Sequence, residues 1–147
     1  AGSVLRTRIL RDLLTTWQIR RVSSKACAMP SPVRTPVQGE IWLADLNPPT
    51  GHEPAGPPRP VLVVSGRAMN QAPYRLSLVV PLSSRIKGLP GHVFLSSATS
   101  GLRADSEIMC EHLRSISHQR FRSTAALTTV SLHIVELVLQ QVAMLTR

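Results

Sequence analysis

The sequence predicts a mainly β domain, a small, strongly bent sheet or barrel with helices appended and an amphipathic helix at its C-terminal end. Three observations carry that prediction. Five short strand-like runs lie between residues 40 and 115, bounded by Pro, Gly, Ser and Asn. Helical periodicity enters the domain only in its last stretch, "SLHIVELVLQQVAML". The first two strands are separated by a long polar loop, "NPPTGHEPAGPPR", which ends on Arg59.

Each element follows from its pattern. Glu40–Leu46 alternates, with Ile41, Leu43 and Asp45 on one face and Trp42, Ala44 and Leu46 on the other. Pro60–Ser65 is a continuous β-branched and Leu run, as a central strand requires. Gly66–Pro73 is polar with room for a helical turn, and Arg75–Pro81 is a third strand. Ser83–Gly91 is a basic loop and His92–Leu95 a short fourth strand, followed by a turn over Ser96–Leu102. Glu107–Ser115 alternates as a fifth strand that puts Cys110 and His112 on one face. In the final helix Ile134, Val138, Val142 and Leu145 form one stripe, Val135 and Leu139 adjoin it, and Ser131 is the expected N-cap.

With 147 residues the chain is long enough for one core and too short for two comfortable ones. Two parts are expected, a basic N-terminal extension with a Ser/Pro-rich linker over residues 1–38 and a folded domain over 39–147. Residues 4–22 show a basic amphipathic helix pattern around Leu5, Ile9, Leu13 and Trp17, suited to packing on the domain or lying on anionic lipid. A native start at Met29 is a further expectation. The net charge of +9 suggests an anionic partner. It is uneven, since residues 1–38 hold seven Lys and Arg against one Asp, whereas residues 39–147 hold ten against seven acids. No apolar run approaches the roughly 18–20 residues of a membrane span, so a soluble protein is expected. The two cysteines, Cys27 and Cys110, make neither a CxxC pair nor a disulfide framework, and a reducing, cytoplasmic setting is expected. No Gly-rich phosphate loop, nucleophile elbow or metal-ligand spacing is present in the sequence.

What remains is a set of polar residues at strand ends: His52, Glu53, Arg59, Ser65, Asn70, Ser83, Ser84, Arg85 and Lys87. Taken singly these are ordinary. Arg59 reads as a solvated strand-start cation, Ser83 and Ser84 as turn residues, Asn70 as a turn or cap, and His52, His92 and His118 as surface or interface histidines. In order, however, "WLADLNP", "GHEPAG", "RPVLVVS", "VPLSS" and "GHVFLSS" resemble the MazF/PemK family of toxin–antitoxin ribonucleases, over Gly39 to Leu145.

The resemblance implies an SH3-like, PemK-type β-barrel with helices, forming a homodimer. It implies a sequence-specific, metal-independent endoribonuclease without a cofactor, acting on single-stranded RNA and inhibited by a cognate antitoxin. Attack by the RNA's own 2′-hydroxyl would leave a 2′,3′-cyclic phosphate and a 5′-hydroxyl. On this likeness the family's essential Arg falls on Arg59, its essential Thr on Ser83, its loop Glu on Glu53 and a substrate-contacting Asn on Asn70. His52, Ser65, Ser84, Arg85 and Lys87 are expected to bind substrate beside them. Ser83 stands where Thr is common, and "AGPPRP" looks one residue longer before Arg59. The chemistry suits these residues. A guanidinium fork holds two phosphate oxygens, and a hydroxyl donates to developing charge. Glu53 and neutral His52 stand as alternatives for the base. On the same fold, toxins that poison DNA gyrase by protein binding offer a second reading, and such a toxin has no need of an Arg59–Ser83 pair.

Overall fold

Strand β3, Leu76–Ser83, is the one on which the others assemble, because it carries partners along both edges. The structure is a computed structural model that describes residues 34–147. The expected helix over 4–22, most of the linker, Cys27 and Met29 lie outside the described residues.

β1 is Glu40–Ala44, β2 Arg59–Val63, β4 His92–Leu95, β5 Ser106–Met109, β6 Arg114–Ser117 and β7 Thr128–Thr129. Every pairing is antiparallel, in the order β4-β5-β3-β2-β1-β7, with β6 also on β3. The helices are α1 over Arg67–Asn70, α2 over Ser97–Ser100 and α3 over Leu132–Leu145.

The expected fifth strand is two strands. Leu82 and Ser83 pair with Ile108 and Glu107, while Val79 pairs with Arg114. Two residues of β3, Val80 and Pro81, therefore face five residues, 109–113, and the excess folds into a 3₁₀ turn over Cys110–His112. A bulge of this size bends the sheet. Pro81, which has no N–H to give, sits at the break, where a proline is tolerated. Cys110 and His112 are consequently not on one strand face. Cys110 is buried and His112 is partly exposed.

A second 3₁₀ turn, His118–Arg120, carries the chain from β6 across to β1. There Phe121 bridges Ala44, Arg122 N donates to Leu43 O at 2.8 Å and Leu127 N to Ile41 O at 2.7 Å, and β7 completes the edge. The sheet thus curls into a half-barrel.

The expected alternation in β1 holds and divides two cores. Ile41, Leu62, Val64, Val80, Leu82 and Ile108 pack with α3. Trp42, Ala44, Leu46, Val61, Val63 and Val79 pack with Ile116 and Phe121, with the Trp42 and Phe121 rings 5.1 Å apart. Glu40 is buried beside Trp42, and its carboxylate accepts from Trp42 Nε1 at 3.0 Å, Val37 N at 2.9 Å and Arg34. Gly39 has a φ of 89°, and a side chain there would enter the left-handed region against Val130 and Val135.

α3 starts after Ser131 as expected, and the expected stripe packs through Ile134, Val138 and Val142 with Val135 beside it, but not through Leu139 and Leu145. Val135 and Val138 are buried with Ile134, Leu137 and Val142 against them, while Leu139 and Leu145 are 40% and 52% exposed. Val138→Ala should therefore cost about 2 kcal/mol, and Leu139→Ala less than about 0.5 kcal/mol. Urea unfolding of both variants checks this, and equal losses would contradict the packing described.

Candidate active site

The register of β2 on β3 builds the centre of the site. Val61 faces Pro81, Leu62 faces Val80 and Val63 faces Val79. Continued two steps past Val61 and Pro81, that register would set Arg59, the first residue of β2, opposite Ser83, the last residue of β3, and both residues line the same two cavities. Residues far apart in sequence thus meet on the walls of the same cavities.

Both side chains are free to act. Arg59 Nη2 donates to Ala55 O at 2.8 Å, and its other donors have no partner among the described residues. Ser83 Oγ accepts from Arg85 N at 3.2 Å, which leaves its proton for a ligand. Two cavities meet at this pair. The larger, about 910 Å³, runs between Pro57–Pro60, Leu43, Leu82, Ser83–Arg85 and Gly101–Ala104. The smaller, about 170 Å³, is bordered by His52, Pro54, Lys87, His92, Met109 and His112. Arg59, Ser83 and Arg85 line both.

Of the residues singled out in the sequence, the structure thus brings Arg59, Ser83, Ser84, Arg85, His52 and Lys87 to one place. Glu53 lines neither cavity. Its Oε2 accepts from Thr50 N at 2.9 Å and closes a turn of its own loop. Ser65 and Asn70 are buried, 5% and 2% exposed, and stand apart from both cavities. Their polar atoms are engaged within the fold. Ser65 Oγ and Ser77 Oγ both donate to Asn70 Oδ1, at 2.5 and 2.7 Å, and Asn70 Nδ2 donates to Ser65 O at 2.9 Å. His118, expected at the surface, completes this buried cluster, with Nε2 2.9 Å from Ser77 Oγ. Burial and the charge of Arg75 lower its pKa. Asn70 and Ser65 therefore hold α1 against β3 rather than facing a substrate.

The long loop is fixed at its root. Asn47 Nδ2 donates to Asp45 Oδ1 at 2.9 Å and to Gly56 O at 2.7 Å, which ties the loop's two ends together. Three arginines reach the same point from β6 and the segment that follows it: Arg114 to Leu46 O, Arg120 to Asp45 O and Asn47 O, and Arg122 to the Asp45 carboxylate. Asn47 and then Arg122 lower the Asp45 pKa.

His92 is a site residue that strand patterning missed. Its side chain is 4% exposed, with Nδ1 2.8 Å from Glu107 Oε2 and Nε2 2.7 Å from Glu111 Oε1. Burial opposes its charge, yet the bonds to the two carboxylates outweigh burial and raise its pKa. Glu107, which also accepts from the Lys87 and Gly88 backbone, is held down to about 2. It thereby fixes the loop that carries Arg85 and Lys87. Nothing in a local pattern pairs residue 92 with residues 107 and 111; the β4–β5 register does. Among the described residues no three His, Cys, Asp or Glu side chains gather as a metal ion would need.

The family described as PemK-like, MazF-like toxin of type II toxin-antitoxin system matches residues 37–146. The chain belongs to that family. Among the described residues the match takes in β1 to β7 and all of α3. Endoribonuclease MazF9 of Mycobacterium tuberculosis is 42% identical over 88 residues, which are 56% of this chain and 74% of that protein. The crystal structure of MazF from Deinococcus radiodurans superposes with a TM-score of 0.67 at 27% identity, covering 76% of this chain and 96% of that one. A MazE-MazF structure from the same organism gives 0.60 at 26% identity over 76% and 96% of the two chains. The curled half-barrel with its C-terminal helix is thus the fold of the MazF toxins. No helix among the described residues is long and apolar enough to cross a membrane.

In this MazF-like domain the His92 cluster sets a pH dependence. The raised His92 pKa contributes stability that is complete below about 6.5 and is lost as pH rises through the folded value. The depressed Glu107 pKa contributes stability that is complete above 4.5 and is lost as pH falls toward about 2. Buried His118 acts oppositely to His92, since its lowered pKa favours folding as pH rises toward 6.5. Urea midpoints of wild type and His92→Gln should therefore differ most on the acid side of neutrality and converge in alkali. A constant difference across pH 6–9 would contradict the ion pairs as the cause.

Proposed function

We propose that this chain is an endoribonuclease toxin that cleaves single-stranded RNA within the cytoplasm and is restrained by a cognate antitoxin. The observation that carries the reading is the Arg59–Ser83 pair at the junction of two cavities. Family membership, a relative named as an endoribonuclease and a structural neighbour solved as MazE-MazF support it. Exposed Leu139, Met144 and Leu145 on α3 offer a surface for pairing with a second copy as a homodimer.

In this reading a scissile phosphate sits between Arg59 and Ser83. The 2′-hydroxyl of the preceding ribose attacks phosphorus, the bond to the 5′-oxygen breaks, and the products are a 2′,3′-cyclic phosphate and a 5′-hydroxyl. The Arg59 fork and the Ser83 hydroxyl stabilise the charge gathering on the non-bridging oxygens. Arg85 and Lys87 add positive charge on the same rim. A base must take the 2′-proton and an acid must supply a proton to the leaving 5′-oxygen. Glu111 is 41% exposed and bonded to His92 beside the smaller cavity, so this couple is better placed for proton transfer than Glu53. His52 lines the same cavity. All these steps use the chain's own side chains, and the cleavage is proposed to proceed without a metal ion.

A long, weakly structured RNA incubated in EDTA, with analysis of the product ends, tests this. Wild type should cut at a short recurring sequence and leave cyclic phosphate. Arg59→Ala and Ser83→Ala should each lose about 100-fold or more in rate, whereas Ser83→Thr, which keeps the hydroxyl, should retain most of it. Absence of cutting by folded wild type across several RNAs would overturn the reading.

A further inference from the structure

Arg103 is a charge that the fold places with care and then does not use. It stands on the turn between α2 and β5, and that turn is tied down on all sides. Gly101, at a φ of 74°, ends α2 and donates to Ser97 O at 3.1 Å. Leu102 N donates to Ser100 Oγ at 3.3 Å, Thr128 Oγ1 to Ser100 O at 2.6 Å and Ser97 N to Asp105 Oδ1 at 2.7 Å. The backbone of residues 97–105 is therefore braced from both ends and from β7, while the Arg103 side chain projects, exposed, on the wall of the larger cavity. It has no hydrogen bond or ion pair among the described residues.

The surroundings give it no counter-charge. Asp105, two residues away, is engaged with the Ser97 amide, and its pKa is lowered by those bonds. No Asp or Glu lines the larger cavity, whereas Arg59, Arg85 and Arg103 all do. Between them the walls are apolar, formed by Leu43, Pro57, Pro58, Pro60, Leu82, Leu102 and Leu127. Charges at the rim with an apolar floor between them suit a chain that alternates phosphates with flat, weakly polar rings.

Building on the function proposed above, we infer that Arg103 holds a second backbone phosphate of the bound RNA, distinct from the one Arg59 and Ser83 act on. The larger cavity then lies between two fixed phosphates and receives the nucleotides on one side of the cut. Arg103 is a positioning residue in this arrangement: it sets where the strand leaves the site and does not touch the reacting atoms. The bracing of its turn means that the position is fixed before RNA arrives, so little ordering is needed on binding.

A phosphate contact has a signature that a structural role lacks. Each phosphate neutralised on a single strand changes the slope of log affinity against log salt by about 0.7. The probe is a random-sequence pool of short 2′-O-methyl RNA, which the proposed chemistry cannot cut because the attacking hydroxyl is blocked. Its binding is measured over a range of salt for wild type, Arg103→Ala, Arg103→Lys and Arg67→Ala. Arg67 lies on α1, outside both cavities, and bonds Gln71 at 3.1 Å, so its removal makes the same charge change elsewhere. The slope should become shallower by about 0.7 in Arg103→Ala, and should stay at the wild-type value in Arg103→Lys and in Arg67→Ala. A wild-type slope in Arg103→Ala, or equal changes in Arg103→Ala and Arg67→Ala, would overturn the inference alone. A wild type that neither binds the pool nor cuts unmodified RNA would overturn the function on which it rests.

Discussion

The antiparallel register of β2 against β3 is the constraint on which the site depends. Val61–Pro81, Leu62–Val80 and Val63–Val79 are held by main-chain bonds and by packing into both cores at once. A slip of one residue would turn Val61 and Val63 toward the α3 core and Leu62 away from it, with the loss of both packings. The same slip would separate Arg59 from Ser83. The energy that fixes the strands is thus also what places a guanidinium opposite a hydroxyl, and the site needs no separate scaffold.

Around that fixed pair the molecule varies its rigidity. Loops supply the rest of the cavity walls, and each is tied by a different device. The 45–58 loop is pinned at Asp45 and Asn47 by Arg114, Arg120 and Arg122, while its tip folds on itself through Thr50 and Glu53. The 84–91 loop hangs from the Glu107 carboxylate through the Gly88 amide. The 101–105 turn is braced by Asp105 and Thr128. The six arginines around these loops therefore divide into two sets. Arg114, Arg120 and Arg122 are engaged with backbone carbonyls or Asp45 and serve the fold, while Arg59, Arg85 and Arg103 face the cavities. Net charge alone does not separate these sets, so the mild positive balance of the domain understates the positive charge gathered at the cavities.

Much of this was legible in the residues. The alternation of Glu40–Leu46 named both faces of β1, and the β-branched run after Arg59 named the central strand. The order of short motifs singles out Arg59 and Ser83, each of which alone reads as an ordinary strand-end residue, and the structure sets both on the walls of the two cavities. The split of the fifth strand was not foreseen, although Pro81 in the middle of a central strand was its signal. The centre of the α3 stripe was legible in Ile134, Val138 and Val142, but its edges at Leu137, Leu139 and Leu145 were not, because a helix rich in Leu and Val on several sides has no sharp apolar edge. Asn70, expected as a substrate contact, is a buried acceptor for the Ser65 and Ser77 hydroxyls, a role set by Ser77 on β3 and by His118, which reaches Ser77 from the second 3₁₀ turn. His92 escaped for the same reason, because its partners Glu107 and Glu111 come to it only through the β4–β5 register.

If one register makes Arg59 and Ser83 a single device, they must act as one on the same phosphate. The direct measurement is a double-mutant cycle on kcat/KM for RNA cleavage with Arg59→Ala, Ser83→Ala and the two together. The account predicts strong non-additivity, with the double variant losing little more than the worse single one. Losses that multiply independently would show two unconnected residues and would contradict a site built by the β2–β3 pairing.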